Sequence, residues 1–207
     1  MLPRKHTHRD IPARARPQSR LGIALLTAAT ALAADLPDLE GPLVRLRTNQ
    51  GTFEVRLAEA KTPETVRNFI GYVERKFFNG TIFHRVEPEL VQGGGYTFKD
   101  EELEPDAPVR HEGAACLSNV RGTISMAHGD DPHDGDSQFF VNLEDNTGLD
   151  FDRPTTLGYG YCAFGAVVSG MDVLDAMAEV ETHADPAMGD HVPVERIIVY
   201  SARRMSE

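Results

Sequence analysis

Cysteine occurs only twice in the 207 residues, at Cys116 and Cys162, and no Cys-x-x-Cys pair exists. That scarcity argues against a dithiol redox centre or a cysteine-built zinc site. The flanking segments "GAACLSNV" and "GYCAFGAVV" both read as buried, so a disulfide and two separate apolar thiols are equally compatible with the sequence. Positive charge is also short: 21 Lys+Arg stand against 32 Asp+Glu, a formal charge of −11. This balance argues against a nucleic-acid partner. No internal repeat, low-complexity tract or interdomain linker occurs, so 41% hydrophobic and 26% charged residues fit one globular domain with a short appendage.

The appendage is residues 1–33. Arg4, Lys5, Arg9, Arg14, Arg16 and Arg20 precede the apolar run "LGIALLTAATAL", which leads into Ala31, Leu32 and Ala33. A basic segment, an apolar segment and an A-x-A site make a secretory signal peptide, with cleavage expected after Ala33. The apolar run is too short to cross a bilayer comfortably, and no adjacent Arg-Arg pair marks a twin-arginine route. Taking the six basic and one acidic side chains of residues 1–33 from the totals leaves 15 Lys+Arg against 31 Asp+Glu, a charge of −16. The expected location is the periplasm or the outside of the cell, with no stable membrane insertion after cleavage.

In the remaining chain, Val44 and Leu46, then Phe53, Val55 and Leu57, alternate on either side of "TNQG", the pattern of an antiparallel hairpin. Thr62, Pro63 and Glu64 supply an N-cap, a first-turn proline and an acidic first turn. Val66, Phe69, Ile70 and Val73 follow as one helical stripe. "FFNGTIFHRV" returns to strand character, and alternation there places Phe83, Arg85 and Glu87 on one face and His84, Val86 and Pro88 on the other. Residues 97–114 read as an acidic, proline-bearing surface loop. "GTISMA", "SQFFVNL", "YCAFGAVV" and "ERIIVYSARRM" are further strands, and "MDVLDAMAEV" places Val173, Leu174, Met177 and Val180 on one face of a second helix. Many short strands and two helices define an all-β-dominated fold, a closed antiparallel barrel with covered ends.

Six segments, "FHRV", "QGGG", "RGTISMA", "SQFFVNL", "LD" and "FGAVVSGMDVLD", stand in the order and approximate spacing of the cyclophilin-type peptidyl-prolyl isomerases. The chain resembles the exported bacterial members of that family over residues 43–204, leaving 34–42 as a short lead-in and 205–207 as a tail. The resemblance implies an eight-stranded closed antiparallel β-barrel capped by two α-helices. It also implies an active-site groove on the barrel's outer face that holds a prolyl peptide. Carried over motif by motif, Arg85, Gln92 and Phe140 are the catalytic candidates. Leu90, Val91, Ala127, His128, Gln138, Leu149 and Tyr161 are candidate substrate contacts.

The chemistry suits such a set. Amide resonance sets a rotation barrier of roughly 18–20 kcal/mol, and the twisted transition state localises a lone pair on nitrogen. An apolar pocket favours the less polar twisted form, and a guanidinium can donate to the emerging lone pair. No nucleophile, metal or cofactor is called for. The "HGDDPHDGD" loop misses the spacing and terminal glutamate of a calcium loop and reads as a solvated acidic loop. The expected partners are proline-containing unfolded or exported polypeptides, met by a monomer.

Two departures from the family pattern stand out. "VEPELV" is one residue shorter than usual between the arginine and the glutamine and lacks phenylalanine and methionine, so Leu90 and Val91 must replace them. Gly148 occupies a position often held by tryptophan, which implies weak binding of cyclosporin-type inhibitors. A second reading, a groove-bearing peptide-binding or chaperone-like module with weak or no isomerase activity, follows from these two departures.

Overall fold

The structure, a computed structural model, describes residues 39–206. The expected signal peptide and its cleavage after Ala33 lie outside the described residues. Ten strands and two helices follow one another: β1 (Leu43–Thr48), β2 (Thr52–Leu57), α1 (Pro63–Glu74), β3 (Thr81–Glu87), β4 (Leu90–Thr97), β5 (Thr123–Met126), β6 (Phe139–Asn142), β7 (Ala163–Ser169), α2 (Met171–Ala178), β8 (Thr182–Asp185), β9 (Gly189–Pro193) and β10 (Ile197–Arg204). Eight of them close an antiparallel barrel in the order β1-β10-β3-β4-β6-β5-β7-β2. Closure leaves no free edge in that sheet.

The interior is aromatic. Phe53, Phe69, Phe78, Phe83, Phe139 and Phe164 are all buried in one cluster with Val55, Leu57, Val141 and Val199. Phe69 comes from α1 and meets Phe78, Phe139 and Phe164 at ring-centroid distances of 5.2, 5.4 and 5.2 Å, so the helix stripe plugs one end of the barrel. Leu174 and Met177 of α2 enter the same core, with Val173 and Val180 packed at its margin. Each such buried side chain contributes roughly 1.5–3 kcal/mol of transfer free energy.

The cap of α1 differs from expectation. The Thr62 hydroxyl donates back to the Ala58 carbonyl at 3.2 Å. The helix N-terminus is instead capped by Glu112, whose carboxylate accepts the N–H groups of Glu64 (3.1 Å) and Thr65 (3.0 Å) and the Thr65 hydroxyl (2.7 Å). A carboxylate there also complements the helix dipole. The sequence reading also missed the β8–β9 hairpin. Met188 and Val192 pack with Ile82 and Tyr96 in a small second cluster, and Asp185 accepts the turn N–H groups of Ala187 (2.8 Å) and Met188 (3.0 Å).

The decisive local feature is a bulge in β3. Phe83 pairs with Gly93 and Arg85 with Gln92, so two steps along β3 match one along β4 and His84 is the extra residue. Simple alternation would send Phe83 and Arg85 the same way. The bulge separates them: Phe83 and Val86 point into the core, and Arg85 and Glu87 point outward.

Candidate active site

Cross-strand partners share a face of the sheet, so the ladder sorts the candidates. One row across β3, β4, β6 and β5 is Val86, Val91, Val141 and Ile124, all in the barrel core. The next row is Arg85, Gln92, Phe140 and Ser125, on the outer side. Leu90, opposite Glu87, also faces outward. The expectation that Leu90 and Val91 both line the pocket is corrected: adjacent strand residues point to opposite faces, and Val91 belongs to the interior.

Outside the barrel, Leu90, Ala127 and Phe140 form a separate buried cluster, with Leu149 and Tyr161 packed against it. The Tyr161 ring meets Phe140 edge-on at 5.4 Å and stacks on His128 at 4.4 Å. The two His128 ring nitrogens face the carbonyl oxygens of Gly129 (2.8 Å) and Gly160 (2.7 Å). Leu149 ends a short 3-10 turn and Tyr161 lies in the loop before β7; the Tyr161 N–H donates to the Leu149 carbonyl at 2.8 Å, and Asn119 ties both to the barrel. Its amide donates to the carbonyls of Leu149 (3.2 Å) and Tyr161 (3.0 Å), and its Oδ1 accepts from Ser125 Oγ (2.7 Å) and Asn142 Nδ2 (3.3 Å).

Beside this apolar cluster lies the polar row. Arg85 is only 7% exposed, and its Nε donates to Glu87 Oε1 at 2.6 Å. Gln92, 3% exposed, donates from Nε2 to Gln138 Oε1 at 3.0 Å. The glycines that follow give Gln138 its place: a Cβ on Gly95 would lie 2.6 Å from the Gln138 amide, and Gly94 has a φ of +94°. The structure therefore brings Arg85, Gln92 and Gln138 beside an outer-face apolar cluster of Leu90, Ala127, Phe140, Leu149 and Tyr161, with His128 stacked on Tyr161.

Sequence reasoning missed two side chains here. Glu87 stood on the right face two residues beyond Arg85, which was a usable signal. Asn119 had none, because its partners lie on distant segments.

The cysteines pair: Cys116 and Cys162 form a disulfide that fastens the 113–118 segment to the residue following Tyr161. Next to it, His111 is buried and its Nδ1 accepts the Gly113 N–H at 2.9 Å. Burial, with the neighbouring His128 and His133, lowers its pKa to about 4. Among the described residues, His111, Cys116 and Cys162 form the one cluster of three or more His, Cys, Asp or Glu with closely placed ligand atoms, and both sulfurs are in the disulfide. Residues 128–136 form no such cluster.

The molecule is thus an eight-stranded closed antiparallel barrel that carries Arg85 beside an outer-face apolar cluster. Residues 43–203 match the family model described as cyclophilin type peptidyl-prolyl cis-trans isomerase. A peptidyl-prolyl cis-trans isomerase of Acinetobacter baylyi is 39% identical over 166 residues, covering 80% of this chain and 86% of that protein. Peptidyl-prolyl cis-trans isomerase B of Escherichia coli is 39% identical over 160 residues, covering 77% and 97%. A crystal structure of a Cryptosporidium parvum cyclophilin type peptidyl-prolyl cis-trans isomerase shares the fold, with a TM-score of 0.63 at 23% identity, covering 80% of this chain and 98% of that one. The chain belongs to the cyclophilin-type peptidyl-prolyl cis-trans isomerase family and is an enzyme of that isomerase class.

Proposed function

We propose that the prolyl bond turns in the outer-face groove, with Arg85 as the donor to the prolyl nitrogen and the Leu90–Phe140–Leu149–Tyr161 pocket as the seat of the ring. The observation that carries this reading is the juxtaposition of a nearly buried guanidinium with an apolar cluster that is separate from the barrel core. The ring is held in the pocket while the acyl side rotates. As the amide twists, its nitrogen becomes an acceptor, and an N–H of Arg85 engages it more strongly than in the planar ground state. Gln92 and Gln138, linked to each other, offer amide groups to the peptide backbone, as do Ala127 and His128 at the facing wall.

Raising an uncatalysed rate with a time constant of tens to hundreds of seconds to about 10–1000 per second needs on the order of 4–7 kcal/mol. A preorganised donor in a water-poor site supplies about 3–4 kcal/mol. Pocket and arginine are therefore both required.

The finer assignment is that the enzyme works as a monomer on exported polypeptides in the periplasm or outside the cell. The basic-then-apolar leader ending at Ala33 supports the location, as does the disulfide, a bond that persists in oxidising compartments. Exchange NMR on short X-Pro peptides is the test of the site. Wild type is expected to accelerate cis–trans exchange and Arg85→Ala to lose most of the acceleration. A wild type that binds peptide yet leaves exchange at the uncatalysed rate indicates a binding module instead. For location, the mature N-terminus of the secreted protein is expected at Ala34; recovery of the intact chain from the cytoplasm contradicts it.

A further inference from the structure

We propose that Glu87 is a positioning residue for Arg85, an inference that rests on the reading of Arg85 as the donor to the prolyl nitrogen. The shortened "EPELV" segment makes it possible. Glu87 pairs with Leu90 across Pro88 and Glu89, so β3 runs in register up to a tight turn and places Glu87 on the same outer face as Arg85. Arg85 Nε donates to Glu87 Oε1 at 2.6 Å, and the two side chains retain only 8% and 12% of their exposure. Gln92, the ladder partner of Arg85, is bonded to Gln138 instead. Among the described residues, the hydrogen bond that holds the guanidinium is thus the one to Glu87.

The geometry divides the labour within the guanidinium. Anchoring Nε fixes the plane of a long side chain that otherwise samples many rotamers, and it leaves the two terminal nitrogens for the peptide. The carboxylate also neutralises a cation that burial would otherwise penalise. Glu87 touches no substrate in this scheme and acts through Arg85. It is not part of the barrel core, so its removal is not expected to unfold the protein.

The test is a double-mutant cycle read by exchange NMR. In the wild-type background, Glu87→Ala is expected to lower kcat about 10- to 30-fold, the scale of one charge-assisted hydrogen bond, with KM within about twofold. Glu87→Gln, which retains an acceptor oxygen, is expected to recover most of that loss. In the Arg85→Ala background, Glu87→Ala is expected to have no further effect. An equal loss in both backgrounds, or no loss in either, overturns the proposal.

A second readout does not need activity. The Arg85 Nε–H resonance is expected to be slow to exchange in wild type and to lose protection in Glu87→Ala, with backbone amide shifts away from Thr81–Thr97 unchanged. Unchanged protection overturns the pairing. An inactive wild type that retains a Glu87-dependent Nε–H signal contradicts the catalytic reading and leaves the ion pair itself established.

Discussion

Asn119 donates to the Tyr161 carbonyl at 3.0 Å and to the Leu149 carbonyl at 3.2 Å, so one buried side chain reinforces the direct bond of 2.8 Å from the Tyr161 N–H to the Leu149 carbonyl. Its Oδ1 meanwhile accepts from Ser125 and Asn142, which stand on neighbouring barrel strands. Leu149 ends a short 3-10 turn and Tyr161 lies outside the strands, and Asn119 ties both to the barrel. Asn119→Ala removes the donor to the Tyr161 carbonyl and the acceptor of the Ser125 hydroxyl, a buried loss of about 1–3 kcal/mol each. The Leu149 carbonyl keeps the Tyr161 N–H, and Asn142 keeps Thr123 Oγ1. A fall in the urea midpoint is expected together with a loss in kcat/KM of at least about tenfold. Full activity at a lowered midpoint contradicts a role for this tie in the site.

The outward and inward rows of the β3–β4 ladder give a paired prediction. Val91→Ala opens a void in the core and is expected to lower stability by about 1–3 kcal/mol with little effect on kcat/KM. Leu90→Ala, one residue away, is expected to lower kcat/KM, because Leu90 packs with Phe140 and Ala127 in the outer-face cluster proposed to seat the proline ring. Peptide-exchange rates and urea midpoints on both variants check the assignment. An activity loss confined to Val91→Ala places the wrong residue in the pocket.

The disulfide closes a long loop between Cys116 and Cys162. Chain-entropy reasoning gives such a cross-link about 3–4 kcal/mol of stability. Denaturant unfolding with and without a dithiol reductant is expected to separate by that amount. Reduced but folded protein is expected to retain activity within a few-fold, since Asn119 still holds Tyr161. Identical midpoints contradict the disulfide.

His111 couples the same region to pH. Its pKa is lowered from 6.5 to about 4 by burial and by the charges of His128 and His133, so the folded state favours the neutral ring. The unfolded chain binds this proton first as pH falls. The stabilisation is complete above pH about 6.5 and is lost progressively down to about 4, a change on the order of 3 kcal/mol. Urea midpoints at pH 7 and pH 4 are expected to converge partly in His111→Gln. An unchanged pH slope in that variant removes His111 as its source.

Much of the barrel was legible because local pattern and final environment agree. The alternation of Val44 and Leu46 with Phe53, Val55 and Leu57 is the inward row of β1 and β2, and the Val66–Phe69–Ile70–Val73 stripe is the buried face of α1. The failures are non-local or two-fold ambiguous. The bulge at His84 inverts the phase of β3, and nothing in "TIFHRVE" alone signals an extra residue. Glu112 caps a helix that precedes it by 48 positions, a contact that only tertiary folding creates. The β8–β9 hairpin is largely solvent-facing at His183 and Ala184, so no hydrophobic alternation announced it. The ordered motifs named Arg85, Gln92, Phe140 and Gln138, which the fold brings together on the outer face, but which of the adjacent Leu90 and Val91 faces outward depended on a register that the sequence does not print.

The central claim is that a guanidinium held at the rim of an apolar pocket stabilises the twisted prolyl amide. Exchange NMR on an Ala-Pro-containing peptide, comparing wild type, Arg85→Ala and Arg85→Lys, tests it most directly. The account predicts acceleration by wild type, a loss of about a hundredfold or more in Arg85→Ala, and only partial recovery in Arg85→Lys, which keeps the charge but not the fork. Exchange in Arg85→Ala within a few-fold of wild type would contradict it.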